Sequence, residues 1–203
     1  MALSAASPRP GEQEPADHRR CVFHLRSAAH AGLEELHPLS ALQHADPEAY
    51  ATAIAKYDDT PQRRRLPETW IPVIDARWTE VIFLTPIHPH AIWSAWRDIA
   101  AVELPAQEFW AIGVEEIGPA VVLDRRLTRS GEPIDPREVS TLRTDEYCAE
   151  KETTARNAEW IAQLAREHRR GAWFHGTPHV LTRGPVALGS AEVVDWRDPW
   201  PGQ

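Results

Sequence analysis

The sequence has only two cysteines, Cys21 and Cys148, one methionine and ten glycines in 203 residues. The cysteines lie far apart with no CxxC spacing. That excludes a disulfide framework and a thiolate metal site, and it points to a reducing, cytoplasmic setting. No run of about 18 apolar residues occurs, so no membrane span is expected, and the first residues lack the apolar core of a signal peptide. The glycines are too few and scattered for a phosphate cradle: GxGxxG and GK[ST] loops are missing, as are GxSxG and HExxH. Rossmann hydride transfer and P-loop phosphoryl transfer therefore rank low. Basic charge is also short, with 22 Lys and Arg against 30 Asp and Glu and a net charge of -8. A general nucleic-acid binder needs a basic field to release counterions. A local basic pocket remains open.

What the chain does have is tryptophan and proline, nine and eighteen residues respectively. Indoles at this density either fill a core or line a pocket for a planar ligand. Hydrophobic residues make up 42% and charged residues 26%, values of a single globular domain at this length. Residues 1–20, poor in large apolar side chains, read as a disordered arm. Residues 21–197 read as one domain, and 198–203 as a frayed end. Within the domain, Cys21–Leu25 and Val81–Leu84 are strands. Phe109–Val114 and Ala120–Leu123 are two more. Asp46-Pro47-Glu48 opens a helix to about Tyr57, with Asp46 as its cap. Ala91–Ile99 and residues 145–169 give two further helices, the latter stopped at Gly171. Residues 37–42 read as loop, and 173–175, 179–182 and 192–196 as closing strands. Helices and short strands mix without βαβ alternation. The fold class is α+β, with helices packed on small, mainly antiparallel sheets in one domain.

Three groups of residues could carry chemistry. The first is histidine: His24, His88, His90, His175 and His179. His88 and His90 flank Pro89, which turns their side chains apart and disfavours joint chelation, although either could join another histidine on zinc or iron. The predicted site holds no metal, with His88 facing a cleft and His90 the surface. The second group is basic and aromatic: Lys56-Tyr57, Arg63-Arg64-Arg65, Trp70 and Arg77-Trp78. A guanidinium fork fits phosphate and an aromatic face stacks a base; the alternative is a solvated loop pairing Asp58, Asp59 and Glu68. The third group comprises strand-end carboxylates, Glu80, Glu108, Glu115 and Glu116, one of which could act on a ribose.

Several of these residues recur in an order that resembles the ADP-ribosyltransferase-like group, especially small bacterial members related to rifamycin ADP-ribosyltransferase. The match runs through Phe23-His24-Leu25-Arg26 on the first strand and Tyr57 in Lys56-Tyr57. It continues in Val81–Thr85 leading into a helix, Phe109–Val114, and closing strands from Val180 to Leu188. Arg26 stands where the group has threonine or glycine, and the acidic position is open among Glu108, Glu115 and Glu116. Trp70–Trp78 and Phe174–Thr182 are also similar to an uncharacterised bacterial family of comparable length. The first resemblance implies an enzyme that binds NAD or a related nucleotide in a cleft between two small sheets, for ADP-ribosyl or glycosyl transfer or hydrolysis. His24, Tyr57, His88 and Glu116 are then the expected catalytic set, with Arg26, Arg63, Arg65 and Trp78 holding the nucleotide. The competing readings are a histidine-ligated metalloenzyme and a non-catalytic protein that sequesters a planar ligand.

Overall fold

The computed structural model describes residues 16–30 and 32–200. In chain order the elements are β1 (Cys21–Arg26), β2 (Glu35–Leu36), α1 (Leu39–Ala45), α2 (Pro47–Ala55), β3 (Trp70–Ile71), β4 (Ala76–Arg77) and β5 (Ile82–Leu84). Then come α3 (Pro89–Ala100), β6 (Glu108–Gly113), β7 (Ala120–Leu123), β8 (Val139–Thr141), α4 (Ala155–Arg166), β9 (His179–Thr182), β10 (Val186–Ala187) and β11 (Glu192–Asp195). The fold is α+β.

Two antiparallel sheets carry the architecture. One has strand order β1-β6-β11, the other β5-β9-β7-β8. They meet where Phe23 and Thr85 exchange backbone hydrogen bonds of 2.9 and 2.8 Å. Helices α3 and α4 pack on each other and cover the main core, where Ile92, Trp96, Ile161 and Leu164 meet Phe109, Val180 and Trp196. A second core lies on the other face of the four-stranded sheet, where Val121, Leu123 and Leu181 meet Ile71, Val81 and Ile134. This explains why β9 carries adjacent apolar residues rather than alternating ones: Val180 enters one core and Leu181 the other, and both are fully buried.

Helix starts follow the side chains present. The Asp46 carboxylate accepts the Ala49 amide, with Pro47 at the first position, as the sequence predicts. The last long helix starts ten residues later than expected, because Thr154 caps it by accepting the Asn157 amide. It ends after Arg166, and His168 takes a left-handed φ of 51°. Gly171 is needed for a different reason, close approach: a Cβ there would sit 2.6 Å from a Leu164 methyl and 2.7 Å from the Trp160 ring. Residues 39–42, read as part of a loop, lie in α1, and 173–175, read as strand, form a turn.

Two described stretches next to the chain ends are packed on the domain. Residues 1–15 and 201–203 lie outside the described residues. His18–Arg20, assigned to the arm, form a 3-10 turn with His18 buried, and Trp200, assigned to the frayed end, is 5% exposed. Trp200 packs on His88 at 4.9 Å between ring centroids. No described helix is long and apolar enough to cross a membrane.

Replacing the α2 cap, Asp46→Ala, removes the acceptor for an otherwise unpaired amide. It is expected to cost about 1 kcal/mol, read as a lower urea midpoint at unchanged slope.

Candidate active-site cleft

Strand alternation sends Phe23 to one face of β1 and His24 to the other, and this separates the expected histidines. The His88 ring lies 5.0 Å from Phe23 and 5.2 Å from His18, and its Nε2 is 3.1 Å from His18 Nδ1. His88 also caps α3, its Nδ1 accepting the His90 amide at 3.2 Å. An Nδ1 that accepts carries no proton, so Nε2–H donates to His18 Nδ1. His18 Nε2 then faces Glu192 at 3.4 Å. Burial pushes the His88 imidazole down to about 3. His88 therefore faces the core and the chain ends, and the expectation that it shares a cleft with His24 is corrected. His90 diverges as Pro89 requires, and its Nδ1 lies 3.1 Å from the Trp196 carbonyl.

On the other face, His24 Nδ1 donates to the Phe83 carbonyl at 2.9 Å, and burial holds its imidazole neutral, down to about 4. Phe83 links it to the expected aromatic group. The Phe83 ring lies 4.4 Å from Trp78, and Trp78 Nε1 donates to the Tyr57 hydroxyl at 3.1 Å. His24 and Tyr57 are thus neighbours through Phe83 and Trp78, although Tyr57 is buried. Arg26 pairs with Glu108 and sits 5.9 Å over Trp110. Arg63 pairs with Asp59 and lies 5.8 Å over Tyr57. Arg65 is exposed on the loop surface. Glu116 is elsewhere: it hydrogen-bonds Ser190 and borders a separate hollow beside Thr182 and Pro185. The strand-end glutamates do not meet the histidine and tyrosine.

A cavity of about 890 Å³ near this group opens between Trp78, the loop after β7, helix α4 and the turn before β9. Of the expected catalytic and nucleotide-holding set only Trp78 lines it. Its cationic wall is Arg125, Arg129, Arg156 and Arg166, against one carboxylate, Glu159. Trp160, Phe174, His175 and His179 supply aromatic surface.

The arginines are held in different ways. Arg125 donates to the Thr128 hydroxyl at 3.0 Å and to the carbonyls of Arg129 and Glu132, all neutral acceptors. Its Nη1 is sealed and unpaired among the described residues, and burial pushes its pKa down. Arg156 donates to the Arg125 carbonyl at 2.6 Å and pairs with Asp124. Arg129 and Arg166 make no side-chain ion pair among the described residues. The loop is tied down by Glu138, which accepts the Leu127 and Thr128 amides, the Thr128 hydroxyl and the Asp135 amide. Burial alone would raise the Glu138 carboxyl, but these bonds outweigh it and hold it at about 2.

The opposite wall is fixed by Asn157, fully buried in the first turn of α4. Its amide donates to the carbonyls of Trp173 and His175 at 2.8 and 2.7 Å and accepts the Thr153 hydroxyl at 2.7 Å. The turn it holds presents His175, whose ring lies 4.4 Å from Trp160. His179 opens β9, its ring 5.8 Å edge-on from Phe83, and burial pushes its imidazole down to about 4. Sequence reasoning weighed His175 and His179 only as metal ligands and passed over Arg125, Arg129, Arg156 and Arg166. Those four are spread over more than forty positions, and no spacing signals their convergence. Among the described residues, no group of three or more His, Cys, Asp or Glu is placed to hold a metal ion.

The chain matches no family model, no curated protein and no solved structure.

Two outcomes follow from this geometry. Asn157→Ala strands two buried carbonyls and is expected to cost about 2–3 kcal/mol, measured by urea unfolding. His24, His88 and His179 all have folded-state pKa values below the ordinary 6.5. The unfolded chain therefore binds more protons, so stability is full above pH 6.5 and falls as pH drops from there toward 3. Unfolding midpoints at pH 7.5 and 4.5 should differ accordingly, and His24→Gln should flatten the difference.

Proposed function

We propose that the cleft binds NAD or a related nucleotide, and that the protein is an ADP-ribosyltransferase-like enzyme acting on the ribosyl bond, by transfer or by hydrolysis. One observation carries this reading: four guanidinium groups and two indoles, Trp78 and Trp160, share one cavity in a chain of net charge -8. Two of those arginines, Arg129 and Arg166, are exposed and make no side-chain ion pair among the described residues, so their charge is free to meet an anion. Guanidinium forks suit phosphate oxygens, and indole faces suit a base or nicotinamide ring. A volume of about 890 Å³ lies in the range of cofactor pockets.

Further support comes from the split between the sheets. His24 on the first strand bonds the carbonyl of Phe83, whose ring touches Trp78 and His179 on the cleft wall. In this reading Arg129 and Arg166 hold the pyrophosphate, Arg125 and Arg156 add positive charge from the wall behind them, and Trp78 or Trp160 stacks on a ring. His24 supports the wall from behind. Tyr57 positions Trp78 through its hydroxyl instead of stacking on the ligand. No role falls to Glu116, Arg63 or Arg65.

Isothermal titration with NAD, ADP-ribose and AMP tests the proposal. Binding is expected to weaken with salt, because it releases counterions from the arginines. Arg129→Ala/Arg166→Ala, both exposed, is expected to weaken it about tenfold, roughly the worth of two partly screened charges. The proposal fails if none of the three ligands binds, or if the double variant binds as wild type does.

A further inference from the structure

Two imidazoles line the cleft with ring nitrogens that no hydrogen bond engages among the described residues: His175, packed on Trp160 at 4.4 Å between ring centroids, and His179, the one that feels the Asp124 charge. His179 opens β9, opposite Leu123 of β7, and lines the cavity next to Trp78, Arg125 and Arg156. Its ring nitrogens have no hydrogen-bond partner among the described residues, unlike His24, His88 and His90, each of which is engaged in a bond. Nor are they sealed: the polar side-chain atoms both buried and unpaired are Trp93 Nε1, Trp96 Nε1 and Arg125 Nη1. A polar ring that is half-buried, unpaired and open to a cavity is placed to accept a proton from something inside that cavity. The surroundings suit that role. Phe83 covers one side of the ring, and burial keeps the imidazole unprotonated at neutral pH. Asp124 supplies the charge that favours the imidazolium once formed. Glu159 lines the cavity from the exposed face of α4, where water solvates it, and the strand-end carboxylate Glu116 lies outside the cleft.

Resting on the nucleotide reading above, we propose that His179 is the general base of an N-glycoside hydrolysis and that water is the acceptor. Water gives a proton to His179 as its oxygen bonds to the anomeric ribose carbon of NAD. The bond from that carbon to the nicotinamide nitrogen breaks, and its electron pair stays on that nitrogen and neutralises the pyridinium. The products are ADP-ribose, nicotinamide and a proton, which His179 returns to solvent. Water fits because the base is sunk beside Trp78 and Phe83, where a small acceptor reaches it and a macromolecular side chain does not. The arginines meanwhile hold the pyrophosphate, which stays intact.

The test uses the full chain with NAD, following nicotinamide release by chromatography and binding by calorimetry. His179→Asn is expected to keep the dissociation constant within about twofold while kcat falls at least 100-fold, the usual worth of a positioned base. In the wild type, kcat is expected to fall on the acid side as one group protonates below pH 6.5, and this limb should vanish in any residual activity of the variant. NAD binding without nicotinamide release, or full kcat in His179→Asn, overturns the base and leaves the nucleotide reading standing. Absence of NAD binding to the wild type overturns both. Should His179→Asn not fold, the wild-type profile decides: a kcat flat from pH 3 to 7 rules out a histidine base with an imidazole at about 4.

Discussion

The structure depends on a narrow join between two sheets. Phe23 and Thr85 exchange a pair of backbone hydrogen bonds, and beyond that bridge β1 turns to β6 while β5 turns to β9. Amides and carbonyls beyond the bridge must find other partners, since an unpaired buried backbone group is costly. At Phe83 the partner is a side chain, the His24 imidazole. A split of this kind leaves room beside the sheets, and the room is then walled by side chains instead of by another strand. The cleft lies on the β5 side of that split, floored by Leu123 and His179 and roofed by α4.

Rigidity around the cleft comes from buried polar groups, each used several times over. Glu138 holds the arginine loop through four hydrogen bonds, and Asn157 holds the facing turn through two while accepting a third from Thr153. Neither residue needs to touch a ligand. Each fixes backbone, and the backbone fixes Arg125 on one side and His175 on the other. Long cationic side chains on such anchored loops lose less freedom when they close on an anion, which is the energetic value of preorganisation. The overall charge of the chain works the other way, and a cationic cavity in an acidic protein favours small anions over polyanionic strands.

Much of the fold was legible in the sequence because its signals are local. Asp46-Pro47 announces a helix start, the runs at Val81–Leu84 and Ala120–Leu123 announce strands, and Pro89 sends His88 and His90 apart. Where local signals misled, tertiary packing overrode them. Residues 145–154 have helical composition, yet Thr154 takes the cap and the segment before it is a turn followed by irregular chain, where the Ala149 and Glu150 amides bond the Arg19 and Pro86 carbonyls. Trp200 looks like part of a frayed tail, yet burying its indole against His88 and His18 anchors the end.

By itself the sequence determined the α+β class and the main strands and helices, because periodicity, capping and β-propensity act within a few residues. Only the tertiary structure decided which chemistry-bearing side chains meet. One residue of alternation on β1 put His24 and His88 on opposite faces. The closure of β7, α4 and β9 around one cavity brought Arg125, Arg156 and His179 together from positions up to 54 apart by their residue numbers. The physical reason is that convergence of this kind is set by sheet register and helix packing, which are long-range properties, and a linear spacing does not encode them.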